Sequence, residues 1–209
     1  MEKLKTKLDE MINLSPLSHL YEDGMEIQIL TKENAYRITD NLPSSYQPAD
    51  LLAFGLTGWN ANDKASHYVT FDIDSLSNHK NGLDALQLDT VLTECEKVPW
   101  VNIYRSTSSK GYHIYVFFDK VVETPTRKDH IKLAYYVKSK LNTILTLDLN
   151  SAVDVSGVVS WIYHTEKMTD LSFEHLKTGC DLNINYLDLL AYEKEAKMVR
   201  RTQIINHLA

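Results

Sequence analysis

The chain has little cysteine, no long apolar run and a shortage of positive charge, and each of these excludes something. Only two cysteines occur in 209 residues, Cys95 and Cys180, far apart in sequence. One pair cannot make a C-x-x-C zinc site, so the expected state is two reduced thiols in an intracellular protein. No stretch of about 18 apolar residues exists, so nothing reads as a membrane-spanning helix. The first residues, MEKLKTKLDEMINL, are charged and amphipathic without an apolar centre, so they do not read as a secretory signal. Lysine and arginine total 22 against 28 aspartates and glutamates, a net charge of −6. Proteins that coat nucleic acid non-specifically carry the opposite balance. A nucleotide enzyme is still allowed, because carboxylates that hold metal ions make a site acidic.

What is present is ordinary globular composition, 44% hydrophobic and 24% charged, in a chain long enough to bury a core. Residues 1–14 carry Leu4, Leu8, Met11 and Ile12 at helical spacing. Residues 15–60 are broken into short pieces by Pro16, Pro43, Pro48, Gly55 and Gly58. From residue 66 the pattern sharpens. Residues 68–74 alternate as a strand, and 83–96 read as a helix with Leu83, Leu86, Val91, Leu92 and Cys95 mostly on one side. Trp100 to Arg105 reads as a second strand, Ser106 to Gly111 as a polar turn, and Tyr112 to Phe118 as a third, aromatic strand. Residues 126–144 form a predicted helix on Ile131, Ala134, Tyr135, Val137, Lys138 and Leu141. Strands are expected near Ala152–Val155 and Val158–Tyr163, and helices near 185–208, with a basic end at Lys194, Lys197, Arg200 and Arg201.

The order from 68 to 155 is β-α-β-β-α-β, the split βαβ or ferredoxin-like unit, and the fold class is α+β. The expected organisation is an N-terminal elaboration over 1–65, a core over 66–180 of RRM-like topology, and a C-terminal helical segment over 181–209. In this topology the first and third strands are central neighbours and the fourth flanks the first. Both helices cover one face. The other face is open to a site or to cover by the N-terminal segment.

Side chains alternate along a strand. Asp72 and Asp74 therefore share a face, opposite Val69, Phe71 and Ile73. On the third strand His113, Tyr115 and Phe117 oppose Tyr112, Ile114 and Val116. On the fourth, Asp154 opposes Val153 and Val155. Placing the apolar sets against the helices brings Asp72, Asp74, His113 and Asp154 onto one face. Three carboxylates crowded together raise one another's pKa or repel, and a divalent cation resolves the conflict. Oxygen ligands of this kind suit Mg²⁺ or Mn²⁺. Two such ions, about 3.5–4 Å apart, clamp the attacking and leaving oxygens of an in-line phosphoryl displacement.

Each part read alone has an ordinary explanation. A D-x-D on a strand also occurs in sugar-nucleotide transferases and in haloacid-dehalogenase-type phosphatases, a lone histidine is often a core residue, and an isolated aspartate often caps a turn. The turn Ser106-Thr107-Ser108-Ser109-Lys110-Gly111 could be a plain hairpin, yet its hydroxyls, backbone N–H groups and lysine suit phosphates. Between 120 and 140 six cationic side chains, Lys120, Arg127, Lys128, Lys132, Lys138 and Lys140, face two carboxylates, Glu123 and Asp129. That surplus is either a solvated helix face or an edge that contacts phosphates.

Together the motifs resemble those of the archaeo-eukaryotic primase superfamily, which includes primase-polymerases. The family's hhhDhD strand stands here as Val69-Thr70-Phe71-Asp72-Ile73-Asp74. Its turn ending in histidine stands as Ser108-Ser109-Lys110-Gly111-Tyr112-His113, also similar to the loop of polymerase domains from bacterial end-joining ligases. Its later hydrophobic-Asp stands as Val153-Asp154. The resemblance covers about residues 66 to 167. It implies that Asp72, Asp74 and Asp154 bind two Mg²⁺ or Mn²⁺ ions and that His113 contacts an incoming nucleoside triphosphate. Arg105, Ser106, Ser108, Ser109 and Lys110 would lie nearby. His164 and Lys167 would stand where family members carry arginines. The implied activity is that of a DNA-directed primase or DNA polymerase acting on a single-stranded or primed DNA template. The expected location is cytoplasmic, with a nucleoid or mobile element, and a helicase or zinc-binding module in a longer protein is an allowed partner.

Three rivals follow from the same residues. A haloacid-dehalogenase-type phosphatase would need its D-x-D near the chain start and followed by Thr or Val, whereas Asp74 is followed by Ser75-Leu76. An RRM-like nucleic-acid-binding module would stack bases on Tyr115 and Phe117. A catalytically degenerate primase would bind without turnover. Trp59 or Tyr68 could sit against the sugar and set ribo- or deoxyribonucleotide preference.

Overall fold

The strands form where β-branched and aromatic residues concentrate, and their ranges in the computed structural model are close to those the alternation predicts. Residues 10–13, 15–31, 35–38, 51–74, 83–146, 153–154 and 160–196 are described, with 35–38, 153–154 and 160 described for the backbone. In chain order the elements are β1 (Met25–Thr31), β2 (Ala35–Ile38), β3 (Leu51–Asn60), β4 (Ala65–Ile73), α1 (Ala85–Glu96), β5 (Asn102–Arg105), β6 (Tyr112–Glu123), α2 (Arg127–Ile144), β7 (Val153–Asp154), β8 (Ser160–His164) and β9 (His175–Lys177). Residues 10–13 and 186–196 are also helical; the rest of the helices expected over 1–14 and 185–208 lies outside the described residues.

One sheet holds the nine strands, in the order β2-β1-β3-β4-β6-β5-β9, with β7 added to β4 and β8 to β3. Within it β7-β4-β6-β5 has the strand order of the ferredoxin-like unit, and its ladders are antiparallel. β4 changes neighbour along its length. Its start pairs with β3 through Trp59↔Ser66 and Asn60↔Ala65, and its end pairs with β7 through Asp72↔Asp154 and Ile73↔Val153. The fold is α+β.

The two faces of β4 and β6 divide as alternation requires. Val69, Phe71 and Ile73 of β4 and Tyr112, Ile114 and Val116 of β6 pack with Val91 and Cys95 of α1 and with Leu133, Ala134, Val137 and Leu141 of α2. A fully buried side chain of this size contributes about 1.5–3 kcal/mol. The opposite face is covered too. Tyr68, Tyr104 and Tyr115 pack there with Ile27 and Ile29 of β1, Phe54 and Leu56 of β3, Ile162 of β8, and Leu17 and Leu20 of the N-terminal turn. The described residues before 65, together with β8, therefore close over the second face.

Both helices start on capping boxes. Asp84 accepts from Gln87 N and the Gln87 side chain accepts from Asp84 N. Thr126 and Asp129 form the second box, which satisfies N–H groups left over at the helix start. Three expectations need correction. Leu86 is 75% exposed, because 3.6 residues per turn put it opposite the stripe of Leu88, Val91, Leu92 and Cys95. Tyr135 is also exposed, while Tyr136 is buried on the other side of α2 by Tyr192 of the C-terminal helix, ring centroids 5.7 Å apart. The second strand starts at Asn102, since Trp100 lies in a turn.

Cys95 and Cys180 are free thiols, and burial pushes Cys95 up to about 12, which makes it unreactive. No helix among the described residues is long and apolar enough to cross a membrane.

Candidate active site

The register settles what spacing can only suggest. Asp72 is the direct partner of His113 on β6 and of Asp154 on β7. Directly opposed residues of an antiparallel pair have Cα atoms about 4.5–5.5 Å apart. Asp72 is thus flanked on both sides by residues of the two other motifs, at the point where β4 exchanges β3 for β7. Asp74 follows two positions on and is half-buried. His113 Nε2 lies 3.7 Å from Asp72 Oδ1, too far for a hydrogen bond but within Coulomb range. His113 is 2% exposed, and burial pushes its pKa down to about 4. At neutral pH it is an uncharged imidazole, one nitrogen donating and one accepting.

Metal fit rests on donor chemistry. Among the residues whose side chains are described, no group of three or more His, Cys, Asp or Glu is clustered to hold a metal ion. The third carboxylate of the expected set, Asp154, is described for its backbone alone, and its position opposite Asp72 is what the expected set requires. Carboxylate oxygens on neighbouring strands are the hard donors that Mg²⁺ and Mn²⁺ prefer, so the residues present fit such ions.

The hydroxyl-rich loop meets the same strand end. Gly111 packs so close to β4 that a Cβ there would lie 2.3 Å from Ile73 O and 2.9 Å from Asp74 Cα. Only glycine lets the loop approach the Asp72–Asp74 segment this closely. The loop closes on Ser106 N→Gly111 O and Ser109 N→Ser106 O, both 2.9 Å, and Ser109 takes a left-handed φ of 60°. Lys110 O accepts from Leu83 N at 2.8 Å, which ties the loop to the start of α1. Ser106 is buried, Ser108 and Ser109 are half-buried, and Lys110 is exposed.

The other expected residues are placed less alike. Arg105 is held by Glu174, Nε to Oε2 3.3 Å, and its guanidinium lies 5.3 Å from the Tyr112 ring centroid. His164 is buried and its Nδ1 accepts from Glu166 N at 3.1 Å. Burial, and then the nearby Lys167 charge, lower its pKa, so it supplies no positive charge at neutral pH. Lys167 is exposed.

The basic surplus of 120–140 is not an edge of this site. Most of it lies on α2, which packs on the face opposite Asp72. Arg127 pairs with buried Glu26 at 2.8 Å, Lys132 pairs with Asp129 at 2.6 Å, Lys140 lies over the Tyr136 ring, and Lys138 is buried. Trp59 and Tyr68 are buried as well, Trp59 Nε1 donating to Thr124 O and Tyr68 OH to Met25 Sδ, so neither lines an open sugar site. The basic residues Lys197, Arg200 and Arg201 lie outside the described residues.

Solved structures similar to this chain include a primase-polymerase domain and a ligase polymerase domain. The AEP domain of the cyanophage S-2L primase-polymerase is 14% identical, with a TM-score of 0.45 over 87% of this chain and 96% of that one. The polymerase domain of ligase D from Mycobacterium tuberculosis, solved in complex with DNA, is 14% identical, with a TM-score of 0.49 over 81% of this chain and 78% of that one. No family model matches the chain, and no curated protein does.

Sequence reading missed one part of the site's surroundings. Thr169, Ser172 and Glu174 reach the loop and Arg105 from a segment with no helical or strand period. Its only local signal is Thr169-x-x-Ser172, a hydroxyl turn pattern common on protein surfaces.

Proposed function

We propose that the chain is a template-directed nucleotidyltransferase, a primase or DNA polymerase that joins nucleoside triphosphates on a single-stranded or primed DNA template. The observation that carries this reading is the register: Asp72 stands directly between His113 and Asp154, with Asp74 two residues on, just past the end of β4. Asp72, Asp74 and Asp154 would hold two Mg²⁺ or Mn²⁺ ions. When bound, such ions neutralise charge at the attacking and leaving oxygens of an in-line displacement.

The chain's own residues do the positioning. A 3′-hydroxyl gives up its proton to solvent water and attacks the α-phosphate of the triphosphate, the new P–O bond forms, and pyrophosphate leaves with the electrons of the broken bond. His113, neutral and fixed by burial, offers an N–H to a phosphate oxygen without carrying charge. Lys110 and Lys167, both exposed, supply the positive charge that a triphosphate needs. Because the loop is pinned against β4 at Gly111, phosphates held by it would lie beside Asp72 and Asp74, which is the proximity that phosphoryl transfer depends on.

A base-stacking platform of the RRM kind is disfavoured by one observation. Tyr115 is wholly buried between Tyr68 and Tyr104, and cannot present its face to a base. The test is extension of a labelled primer–template with dNTPs and with NTPs, in Mg²⁺ and in Mn²⁺, by the wild type and by Asp72→Ala/Asp74→Ala. Metal-dependent extension that disappears in the variant supports the proposal. Absence of extension together with metal-independent template binding, equal in both proteins, overturns it in favour of a binding module. Metal-dependent triphosphate binding without extension would point to a degenerate primase.

A further inference from the structure

Two backbone hydrogen bonds close the Ser106–Gly111 loop, but its own side chains add little. Ser106 Oγ and Ser108 Oγ are 3.4 Å apart, and Lys110 N donates to Ser108 Oγ at 3.4 Å, both at the outer limit of a hydrogen bond. Ser109 also sits in the left-handed region, which non-glycine residues adopt at a cost. Contacts from outside the loop reinforce this shape.

The segment 165–174 does so at several points. The Ser172 hydroxyl donates to Thr107 O at 2.6 Å, and the Thr169 and Ser109 hydroxyls share a hydrogen bond. These two hydroxyls are themselves aimed by backbone: Thr169 N donates to Ser172 Oγ at 2.8 Å and Leu171 N to Thr169 Oγ1 at 3.2 Å. The segment's far end is anchored. Phe173 is 5% exposed within the second core, Phe173 N donates to Arg105 O at 3.3 Å, and Arg105 N donates to Glu174 O at 2.9 Å. Thr107 Oγ1 donates in turn to Trp161 O of β8, which fixes the loop from a third direction.

We propose that Thr169 and Ser172 are positioning residues for triphosphate binding, a role that rests on the nucleotidyl-transfer reading. In a trans peptide the C=O and the following N–H point in opposite directions. By fixing the Thr107 carbonyl, Ser172 also fixes the direction of the Ser108 N–H. By engaging the Ser109 hydroxyl, Thr169 holds the left-handed residue that turns the chain towards Lys110 and Gly111. Ser109 then acts through the shape of the loop, while backbone N–H groups and Lys110 meet the phosphates.

The test compares wild type with Thr169→Val/Ser172→Ala, and with the conservative Thr169→Ser, in primer extension with varied nucleotide and in hydrogen exchange of the 106–111 amides. The double variant should raise KM for the nucleotide about tenfold, equivalent to about 1.4 kcal/mol, with kcat within about twofold. Exchange over 106–111 should accelerate, and Thr169→Ser should restore the wild-type KM. Unchanged KM beside an active wild type overturns the inference alone. A matched fall of kcat with a lowered melting temperature also overturns it, because that is loss of fold rather than of position. A wild type that neither extends a primer nor binds Mn²⁺-triphosphate overturns the nucleotidyl-transfer reading, and this inference with it.

Discussion

Asp72 and His113 face each other across the β4–β6 ladder, with 3.7 Å between carboxylate and imidazole and the ring almost wholly buried. A buried neutral imidazole is thereby fixed beside a partly exposed carboxylate at a strand end. On the proposed reading Asp72 serves function more than stability.

Asp72→Ala/Asp74→Ala should therefore lower nucleotidyl transfer by more than about 100-fold, the scale on which directly acting electrostatic groups matter. The melting temperature should stay level or rise, since like charges have been removed from one face. Paired extension and thermal melting assays check this. A large fall in melting temperature would make the carboxylates structural.

Gly111→Ala should destabilise the fold by about 2 kcal/mol or more, because the added Cβ would meet backbone at Ile73 O rather than a movable side chain. Urea denaturation measures it. A loss under about 0.5 kcal/mol would show that the loop has room to withdraw.

His130 predicts a pH dependence. It is fully buried, its Nδ1 bonded to Ser66 Oγ at 2.8 Å, and burial pushes its pKa down to about 3, with the Arg127 charge adding to the shift. The unfolded chain, with an ordinary histidine pKa of about 6.5, binds this proton first. The stability it protects is whole above about pH 6.5 and is lost as pH falls towards 3, by up to about 1.4 kcal/mol per pH unit for one proton. His130→Gln should flatten that slope in denaturation curves taken across this range. An unchanged slope would place the acid sensitivity elsewhere.

Lys167→Ala should weaken triphosphate binding about five- to tenfold, the scale of a charge-assisted hydrogen bond, while Lys128→Ala should leave it unchanged. Lys167 follows β8, whereas Lys128 projects from α2 on the far side of the sheet. Nucleotide titration in Mn²⁺ distinguishes them, and equal effects would restore the helix-borne lysines to the site.

The strand order and the shared face of Asp72 and His113 were legible because residues 68–73 and 112–118 each read as one β-rich run whose side chains alternate between faces. Both helices were legible for the same reason in their own period. The inward turn of Tyr136 was not, since it depends on Tyr192 more than 50 residues away. The lysines of α2 stayed open between a solvated helix face and a phosphate edge because charge counts along the chain ignore which face a helix presents. Cover of the Tyr115 face by the N-terminal segment was one of two expectations, and the strands that supply it were not legible because β1 and β3 lie in a stretch cut by proline and glycine, where short-range periodicity is lost. Thr169 and Ser172 gave no signal, as two hydroxyls three residues apart acquire meaning only when Thr107 and Ser109 are brought to them.

The closed second face has a consequence for how such a protein diversifies. Because Tyr115 is sealed in, a nucleotide bound as proposed would meet this part of the sheet at its rim, where β4 ends and the 106–111 and 165–174 segments meet. On that reading recognition would fall to short surface connections. Changes in what is bound can then accumulate in those connections while the carboxylate-bearing strand, locked from both sides, stays as it is.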